Sequence, residues 1–290
     1  MEKIASPSPI AILLATYNGE LYLEEQLDSL VRQSYRKWHL FIHDDGSKDK
    51  TSTILHAYAR HYPNISILEY ESQKGAANNF LSLLQRVDAD YYMFCDQDDV
   101  WLDHKIEASI QKIKKLESLS PSKPIVICSD LHVVDKGLNI ISQSYWEHAG
   151  IYPQLIQSFD ECAASSVTTG CTMLFNRAAM LATIFPAKNA AMHDAWVTLC
   201  TLKSQGILGS IDEQLVLYRQ HGDNSLGATD VSVSQFTLAY RIRNFKRMFK
   251  QNQDHYRMLQ SLGYGSVFKY IKYKIIYKKR IRALLDSDLH

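Results

Sequence analysis

The first strongly patterned segment is a short apolar run, Ile10-Ala-Ile-Leu-Leu-Ala-Thr16, without the alternation of a half-exposed strand. A run of that length closed by Tyr17-Asn18-Gly19 predicts a strand covered on both faces and then a turn, and so a parallel sheet. Leu21, Leu23, Leu27, Leu30 and Val31 recur at helical spacing, and Trp38-His-Leu-Phe-Ile42 predicts a second strand ending on Asp44-Asp45-Gly46-Ser47. The alternation continues with a helix over 50–61, a strand over 64–71, a helix over 78–86 and a strand over 90–95. A polar helix over 102–119, a break at Pro121-Ser-Lys-Pro124 and a fifth strand over 125–128 follow. Such alternation builds a doubly wound α/β sheet with right-handed crossovers, whose ligands lie beyond the carboxyl ends of the strands. The region 140–230 is less regular, with 169–175 strand-like and 193–204 helix-like, and is expected to cover the crevice and shape a second substrate site.

Composition keeps this pattern in a globular protein: 46% hydrophobic and 22% charged residues exclude wholesale disorder. Five cysteines (Cys95, Cys128, Cys162, Cys171, Cys200) are an odd number with no CxxC pair, so neither a disulfide framework nor a zinc site is expected. The first nine residues lack an apolar signal core, and no stretch approaches the roughly 18 apolar residues that span a bilayer. The expected location is the cytoplasm, with peripheral attachment to the inner face of the cytoplasmic membrane. The near-neutral total charge is uneven, because residues 241–290 hold 13 Lys/Arg against 3 Asp/Glu while the remainder holds 28 acids against 19 bases. A basic tail follows an acidic body.

Asp96-Gln97-Asp98-Asp99 sets three carboxylates within four residues, directly after an apolar strand. Such a tip invites a hard cation, Mg2+ or Mn2+, which keeps positions open for water and diphosphate oxygens. The same residues also suit a solvated acidic turn that caps the next helix. Asp44-Asp45-Gly46-Ser47 is equally ambiguous by itself, since these are ordinary turn formers. Position adds the weight. Asn18, Asp44, Asp45, Asp96 and Asp98 each fall just beyond a strand, so one crevice can gather them into a nucleotide pocket. Asp130, beyond the fifth strand, suits either an acceptor contact or a helix cap.

Ala15-Thr16-Tyr17-Asn18-Gly19, Asp44-Asp45-Gly46-Ser47-Lys48-Asp49 and Cys95-Asp96-Gln97-Asp98-Asp99-Val100-Trp101 resemble, in order and spacing, the successive motifs of family 2 glycosyltransferases. The likeness spans roughly residues 8–225, and the Asp-Gln-Asp-Asp-Val-Trp version most resembles bacterial rhamnosyltransferases of polysaccharide and O-antigen assembly. The resemblance implies a GT-A fold, with Thr16, Asn18 and Asp45 lining a nucleoside pocket and Asp45 accepting the N3 hydrogen of uracil or thymine. It implies Asp96 as a contact to ribose or the metal shell and Asp98 as a metal ligand, with Lys74 and Asn78 as further donor-side candidates. Met192-His193-Asp194-Ala195-Trp196 sits where the family carries its catalytic aspartate. An inverting transferase needs a carboxylate to take the acceptor hydroxyl proton, so Asp194 is the expected base. His193 stands where a Glu is commoner, and its part stays open. Tyr218-Arg219-Gln220-His221-Gly222-Asp223-Asn224-Ser225 resembles a segment that closes the donor site, with His221 as a metal ligand, or Arg219 or His221 neutralising the departing diphosphate. Thr169-Gly170-Cys171 is expected near the acceptor side, Gly170 permitting close approach of a sugar and Cys171 packing.

The resulting expectation is a GT-A-type domain over 1–230, with a nucleotide-sugar half at about 8–130 and an acceptor half at about 131–230, then a helical, basic extension over 231–290. Its last segment, 268–285, interleaves Tyr270, Ile271, Ile275, Tyr277 and Ile281 with Lys and Arg. That stripe suits an anionic membrane interface, and equally a helix packed on the enzyme with solvated cations. The expected partners are a dTDP- or UDP-linked sugar donor and a glycan or lipid-linked glycan acceptor; nucleic acid is not expected on an acidic body without a recognition motif. Transfer of rhamnose from dTDP-rhamnose is the leading reading. A UDP-hexose or UDP-N-acetylhexosamine donor, or a non-catalytic nucleotide-sugar-binding protein, are the alternatives. A nucleotidyltransferase would show a Gly-rich basic loop that is missing near the first strand.

Overall fold

In a computed structural model of the chain, residues 3–187, 189–221, 250 and 252–287 are described. Gly222 to Ser225 of the donor-closing motif and the 230/231 boundary lie outside the described residues. A two-residue strand, β1 (Ile4–Ala5), precedes the apolar run, which forms β2 (Ile10–Thr16) and is buried along nearly its whole length. Then come α1 (Leu23–Val31), β3 (Trp38–Asp44), α2 (Thr51–His61), β4 (Ile65–Ile67), α3 (Ala76–Arg86), β5 (Val87–Asp88), β6 (Tyr91–Cys95), β7 (Val100–Trp101) and α4 (Lys105–Leu119). The second half holds β8 (Ile125–Val134), β9 (Ile140–Ser142), α5 (Tyr145–Ala149), α6 (Phe159–Ala164), β10 (Met173–Asn176), α7 (Arg177–Ala182), α8 (His193–Lys203) and β11 (Ile207–Arg219). Helices α9 (252–261) and α10 (Val267–Ser287) complete it.

The main sheet runs β4-β3-β2-β6-β10-β8-β11-β7, with β9 added on β8. Strands β4, β3, β2 and β6 are mutually parallel, as their apolar runs require when both faces are covered. Strand β10 inserts antiparallel between β6 and β8, so β8 and its parallel neighbour β11 keep the direction of β6. The carboxyl ends of β3, β2 and β6 therefore lie side by side, and β8 and β11 open toward the same end of the sheet.

Three segments depart from the sequence expectation for local reasons. The strand expected over 64–71 stops at Ile67, and the chain beyond it forms a loop bonded to Asp45. Strand β8 runs past Cys128 to Val134, carrying Asp130 inside it. The Asp130 carboxylate accepts from Leu131 N (2.8 Å), from Trp146 N in the first turn of α5 (3.1 Å) and from Gln214 Nε2 (3.0 Å). Its role here is to seat α5 and β11. Strand β11 is long, but register shifts against β8 around Gln214 break the alternation that would mark it in the sequence.

All five cysteines are free and buried. Met258, Leu259, Leu262, Tyr264 and Tyr277 belong to the same buried cluster as Tyr92, Phe94 and Phe175, so α9 and α10 share the core of the α/β unit. The Tyr277 hydroxyl accepts from Tyr152 N at 2.6 Å, fixing α10 to the turn before α6. No helix among the described residues is long and apolar enough to cross a membrane.

Leu13 is fully buried in β2 between β3 and β6. Leu13→Ala is expected to cost about 2–5 kcal/mol in urea unfolding with an unchanged slope, while Ile4→Ala on the exposed β1 shifts stability by less than about 0.5 kcal/mol.

Candidate active site

Three loops at the ends of β2, β3 and β6 are stitched together by their own side chains. Gln97 clamps the first to the third: its Oε1 accepts from Tyr17 N (2.9 Å) and its Nε2 donates to Tyr17 O (3.1 Å). A Cβ on Gly19 would sit 2.5 Å from Gln97 Oε1, so glycine is needed there for this approach. Thr16 is buried and donates its hydroxyl to Asp44 Oδ1 (2.9 Å); Asp44 in turn accepts from Ser47 N (2.9 Å) and from the Ser47 hydroxyl. Thr16 thus holds the turn after β3. Asn18, with φ at +48°, accepts from Lys48 N on its Oδ1 (2.8 Å) and donates its own N–H to the Ser47 hydroxyl (2.8 Å). It too ties two loops.

Asp45 faces the loop that follows β4. Its carboxylate accepts from Gln73 N (2.6 Å) and Gly75 N (3.2 Å). Partial burial works against its charge, but these bonds, with Ser72 and the Lys74 amide, outweigh that and hold its carboxyl below the usual range. Lys74 is exposed at a positive φ, and Asn78 donates to Gln73 O (3.2 Å), so that loop is braced from within. Below it, the buried His43 ring bonds Asn79 Oδ1 (2.8 Å) and Tyr70 O (3.1 Å) and stacks on Tyr70 at 3.6 Å. Nothing local in the sequence marked His43 as the floor of this loop.

The acidic loop after β6 is held from behind by the end of β11. Arg219 is 1% exposed. Its N–H donates to Asp99 Oδ1 (3.1 Å), its Nε to Asp98 O (2.8 Å), its Nη1 to Lys136 O (2.7 Å) and its Nη2 to Glu25, while its guanidinium lies 4.5 Å from the centre of the Tyr22 ring. All three guanidinium nitrogens of Arg219, expected to meet a diphosphate, are directed at groups of the chain itself. Two residues on, His221 Nε2 stands 2.7 Å from Asp98 Oδ2. Asp99 is fully buried, and its carboxyl is pushed well up by burial and by Asp98 and Asp96. The Lys105 ammonium is buried beneath, 4.0 Å over the Trp101 ring and without a hydrogen-bond partner; burial lowers it to about 8 against the opposing pull of Cys171, Cys95 and Asp99.

From the other side α8 brings Asp194. Its Oδ2 accepts from Gly170 N (3.1 Å) and its Oδ1 from Ala195 N (2.6 Å), and burial raises it to about 6 despite those bonds. Asp96 is pushed up by burial, then by the charges of Asp98 and Asp194, which places all three carboxylates in one electrostatic neighbourhood. Tyr145, at the start of α5, feels the Asp194 charge as well. His193 takes no part in the crevice. It is buried with both ring nitrogens unpartnered, 4.1 Å from Phe80 and 4.6 Å from Phe94, and burial lowers it to about 3, so it packs as a neutral ring. A Cβ on Gly170 would meet His193 Nε2 at 2.6 Å, so that glycine makes room for the imidazole rather than for a sugar.

The donor set suits a hard divalent cation. Asp96 and Asp98 offer carboxylate oxygens at the partly open side of the loop, His221 adds an imidazole nitrogen next to Asp98, and the repulsion that raises Asp96 is charge a cation would relieve. The 2.7 Å between Asp98 Oδ2 and His221 Nε2 is close to the about 3 Å that separates adjacent ligands of an octahedral ion with bonds of about 2.1 Å. Ligand atoms of Asp96, Asp99 and Cys171 also lie within 4.8 Å of one another. Asp99 and Cys171 are sealed from solvent, however, and Mg2+ or Mn2+ keeps several waters and meets its substrate from an open side.

Residues 11–181 match the family described as glycosyl transferase family 2. A dTDP-rhamnosyl transferase of Shigella flexneri, RfbG, is 30% identical over 247 residues, which cover 80% of this chain and 79% of that one. Among solved structures, S. aureus TarS in complex with UDP-GlcNAc superposes with a TM-score of 0.56 at 18% identity, covering 74% of this chain and 59% of that chain. The mannosyltransferase PcManGT from Pyrobaculum calidifontis, in complex with GDP-Man and Mn2+, gives 0.60 at 14% identity over 94% and 70% of the two chains. At these identities the structural likeness is one of fold.

Because Arg219 works as an internal strut, Arg219→Met is expected to lower the unfolding free energy of the ligand-free protein by about 2–4 kcal/mol. A substitution that weakened donor affinity while leaving urea unfolding unchanged would restore the diphosphate role.

Proposed function

The chain belongs to glycosyl transferase family 2 and has its GT-A fold, and we propose that it transfers a sugar from a nucleoside diphosphate to a growing cell-surface glycan with inversion at the anomeric carbon. The observation that carries this reading is that the charge of Asp194, from the second half of the chain, acts on the buried carboxyl of Asp96 at the end of β6, while the Gly170 and Ala195 amides hold the Asp194 carboxylate in place. In this reading the first half of the chain supplies the nucleotide side and the second half the base. The leading donor is dTDP-rhamnose, supported by the 30% identity to the Shigella dTDP-rhamnosyl transferase across most of both chains.

In this reading Asp45, held ionised by the amides of the loop beyond β4, accepts the N3 hydrogen of the pyrimidine with lone pairs that those amides leave unused. Asp96 contacts the ribose or the metal shell. Asp98 and His221, with Asp96 in reach, hold Mg2+ or Mn2+, which supplies neutralising charge for the diphosphate. The acceptor oxygen attacks the anomeric carbon, the bond from that carbon to the diphosphate oxygen breaks with its electron pair, and the hydroxyl proton passes to the Asp194 carboxylate. Burial lifts Asp194 toward the pH at which it works, while the Gly170 and Ala195 amides keep it aimed and ionisable. Thr16, Asn18, Gln97 and Arg219 serve by holding the loops in register.

Asp194→Asn is expected to cut transfer about 10²–10⁴-fold with donor affinity changed less than about twofold, since a general base contributes in that range. As the base must be ionised, transfer by the native protein falls as the pH drops through about 6 or below, a bound cation lowering that midpoint. A pH–rate profile of Asp194→Asn lacks this limb, and an intact limb in that variant would remove Asp194 from the reaction. Calorimetry on Asp98→Ala should show divalent-ion-dependent donor binding lost at an unchanged melting temperature. A screen of nucleotide sugars for metal-dependent hydrolysis tests the donor, with turnover confined to UDP-hexoses or UDP-N-acetylhexosamines overturning rhamnose.

A further inference from the structure

Helix α10 divides its residues between two faces. The inner face is taken up by the rest of the chain: Tyr277 is buried against Tyr152, Arg280 reaches Glu161 Oε1 (3.0 Å) and Leu155 O (3.0 Å), and Lys269 Nζ lies 2.7 Å from Asp160 Oδ1. The outer face carries Phe268, 86% exposed, and Ile271 and Ile275, each about half exposed, at positions i, i+3 and i+7 along one line of the helix. Lys272, Lys278, Lys279 and Arg282 border that line and are exposed. Among the described residues none of these four has an acidic partner in an ion pair, and the helix has a single acid, Asp286, in its last turn. A helix face meant only for water mixes both signs of charge and omits a line of large apolar side chains. Here the acids that α10 pairs with lie on the inner side, and the outer side carries cations and no acid until Asp286 in the last turn.

We propose that the outer face of α10 lies in the headgroup region of an anionic lipid surface, with Phe268, Ile271 and Ile275 entering the acyl boundary and Lys272, Lys278, Lys279 and Arg282 meeting lipid phosphates. Charge complementarity selects this occupant, because an apolar line bordered on both sides by cations, on a helix too polar to cross a bilayer, is the profile of a helix lying in the interface plane. A protein partner fits less well. Lysine, which makes up three of the four bordering cations, is depleted at protein interfaces, and one helical line is small beside the roughly 800 Å² per partner of a stable complex. Helix α10 reaches the domain through α6, which also packs on α8, so the surface contact is made from the half of the chain that carries Asp194.

The test is sedimentation of the whole chain with vesicles of phosphatidylcholine alone and of phosphatidylcholine with phosphatidylglycerol, without donor or metal, so that it stands apart from the transferase reading. Binding is expected to the anionic vesicles only, and to weaken as salt rises. Two variants separate the contributions: Phe268→Ser with Ile271→Ser and Ile275→Ser, and Lys272→Glu with Lys279→Glu and Arg282→Glu. Each is expected to lower the vesicle partition coefficient at least about tenfold at an unchanged melting temperature, the altered side chains being exposed. A third, Phe268→Trp, should give indole emission quenched by brominated anionic lipid. Undiminished binding in the serine variant, or an unquenched Trp at 268, would reduce the contact to surface adsorption and overturn the proposal. Equal binding to neutral and anionic vesicles overturns it, as does a native chain that ignores both and instead self-associates through this face.

Discussion

The buried guanidinium of Arg219 holds together the parts on which the crevice depends. It is set at the end of β11, yet it reaches the carbonyl of Asp98 in the loop after β6, the carbonyl of Lys136 beyond β8 and the carboxylate of Glu25 in α1. Its own amide bonds Asp99. A cation taken out of water is tolerable only with its donors met, and here meeting them requires four chain segments to arrive together. The same arrangement places His221, two residues on, beside Asp98. Loss of the guanidinium would leave the carbonyls of Asp98 and Lys136 unpaired and the acidic loop free to relax.

That loop needs restraint because its charges repel. Asp96, Asp98, Asp99 and Asp194 converge where the surroundings screen them poorly, and the carboxyls of Asp96, Asp99 and Asp194 are all raised. Asp99 faces inward toward the Lys105 ammonium, and this buried cation offsets part of the local charge without reaching the crevice. Asp96 and Asp98 lie on the partly open side of the loop, where His221 stands beside Asp98. The fold thus sustains a concentration of carboxylates whose mutual repulsion a divalent ion would relieve.

Polar residues at the ends of the strands divide by the partners they meet. Thr16, Asn18, Asp44 and Gln97 direct their side-chain groups at neighbouring loops. Asp45 and Asp194 receive bonds from backbone amides, which orient a carboxylate without neutralising it. Behind Asp194, the neutral ring of His193 between Phe80 and Phe94 turns a polar residue into packing and leaves Gly170 no room for a side chain. The aspartate and histidine of that motif, adjacent in the chain, differ because one meets backbone amides and the other meets aromatic rings.

The amino-acid pattern alone determined the order of the longer strands and helices through Leu119, because a strand buried on both faces and an amphipathic helix leave signatures within a few residues, while the two-residue strands β1, β5 and β7 leave none. It also determined the family, through the order and spacing of the motifs around Asn18, Asp45 and Asp96 to Asp98. It did not reveal β11, whose irregular register erases the alternation, nor the extent of β8, where Ser129 and Asp130 look like the end of a strand until their buried partners are known. The parts played by Thr16, Arg219 and His193 were decided only by tertiary structure. A residue type and its neighbours in sequence state what a side chain can bond or pack against. Which partner it meets depends on segments from 28 residues away, as for Thr16 and Asp44, to 194 away, as for Arg219 and Glu25, and these come together only when the sheet assembles.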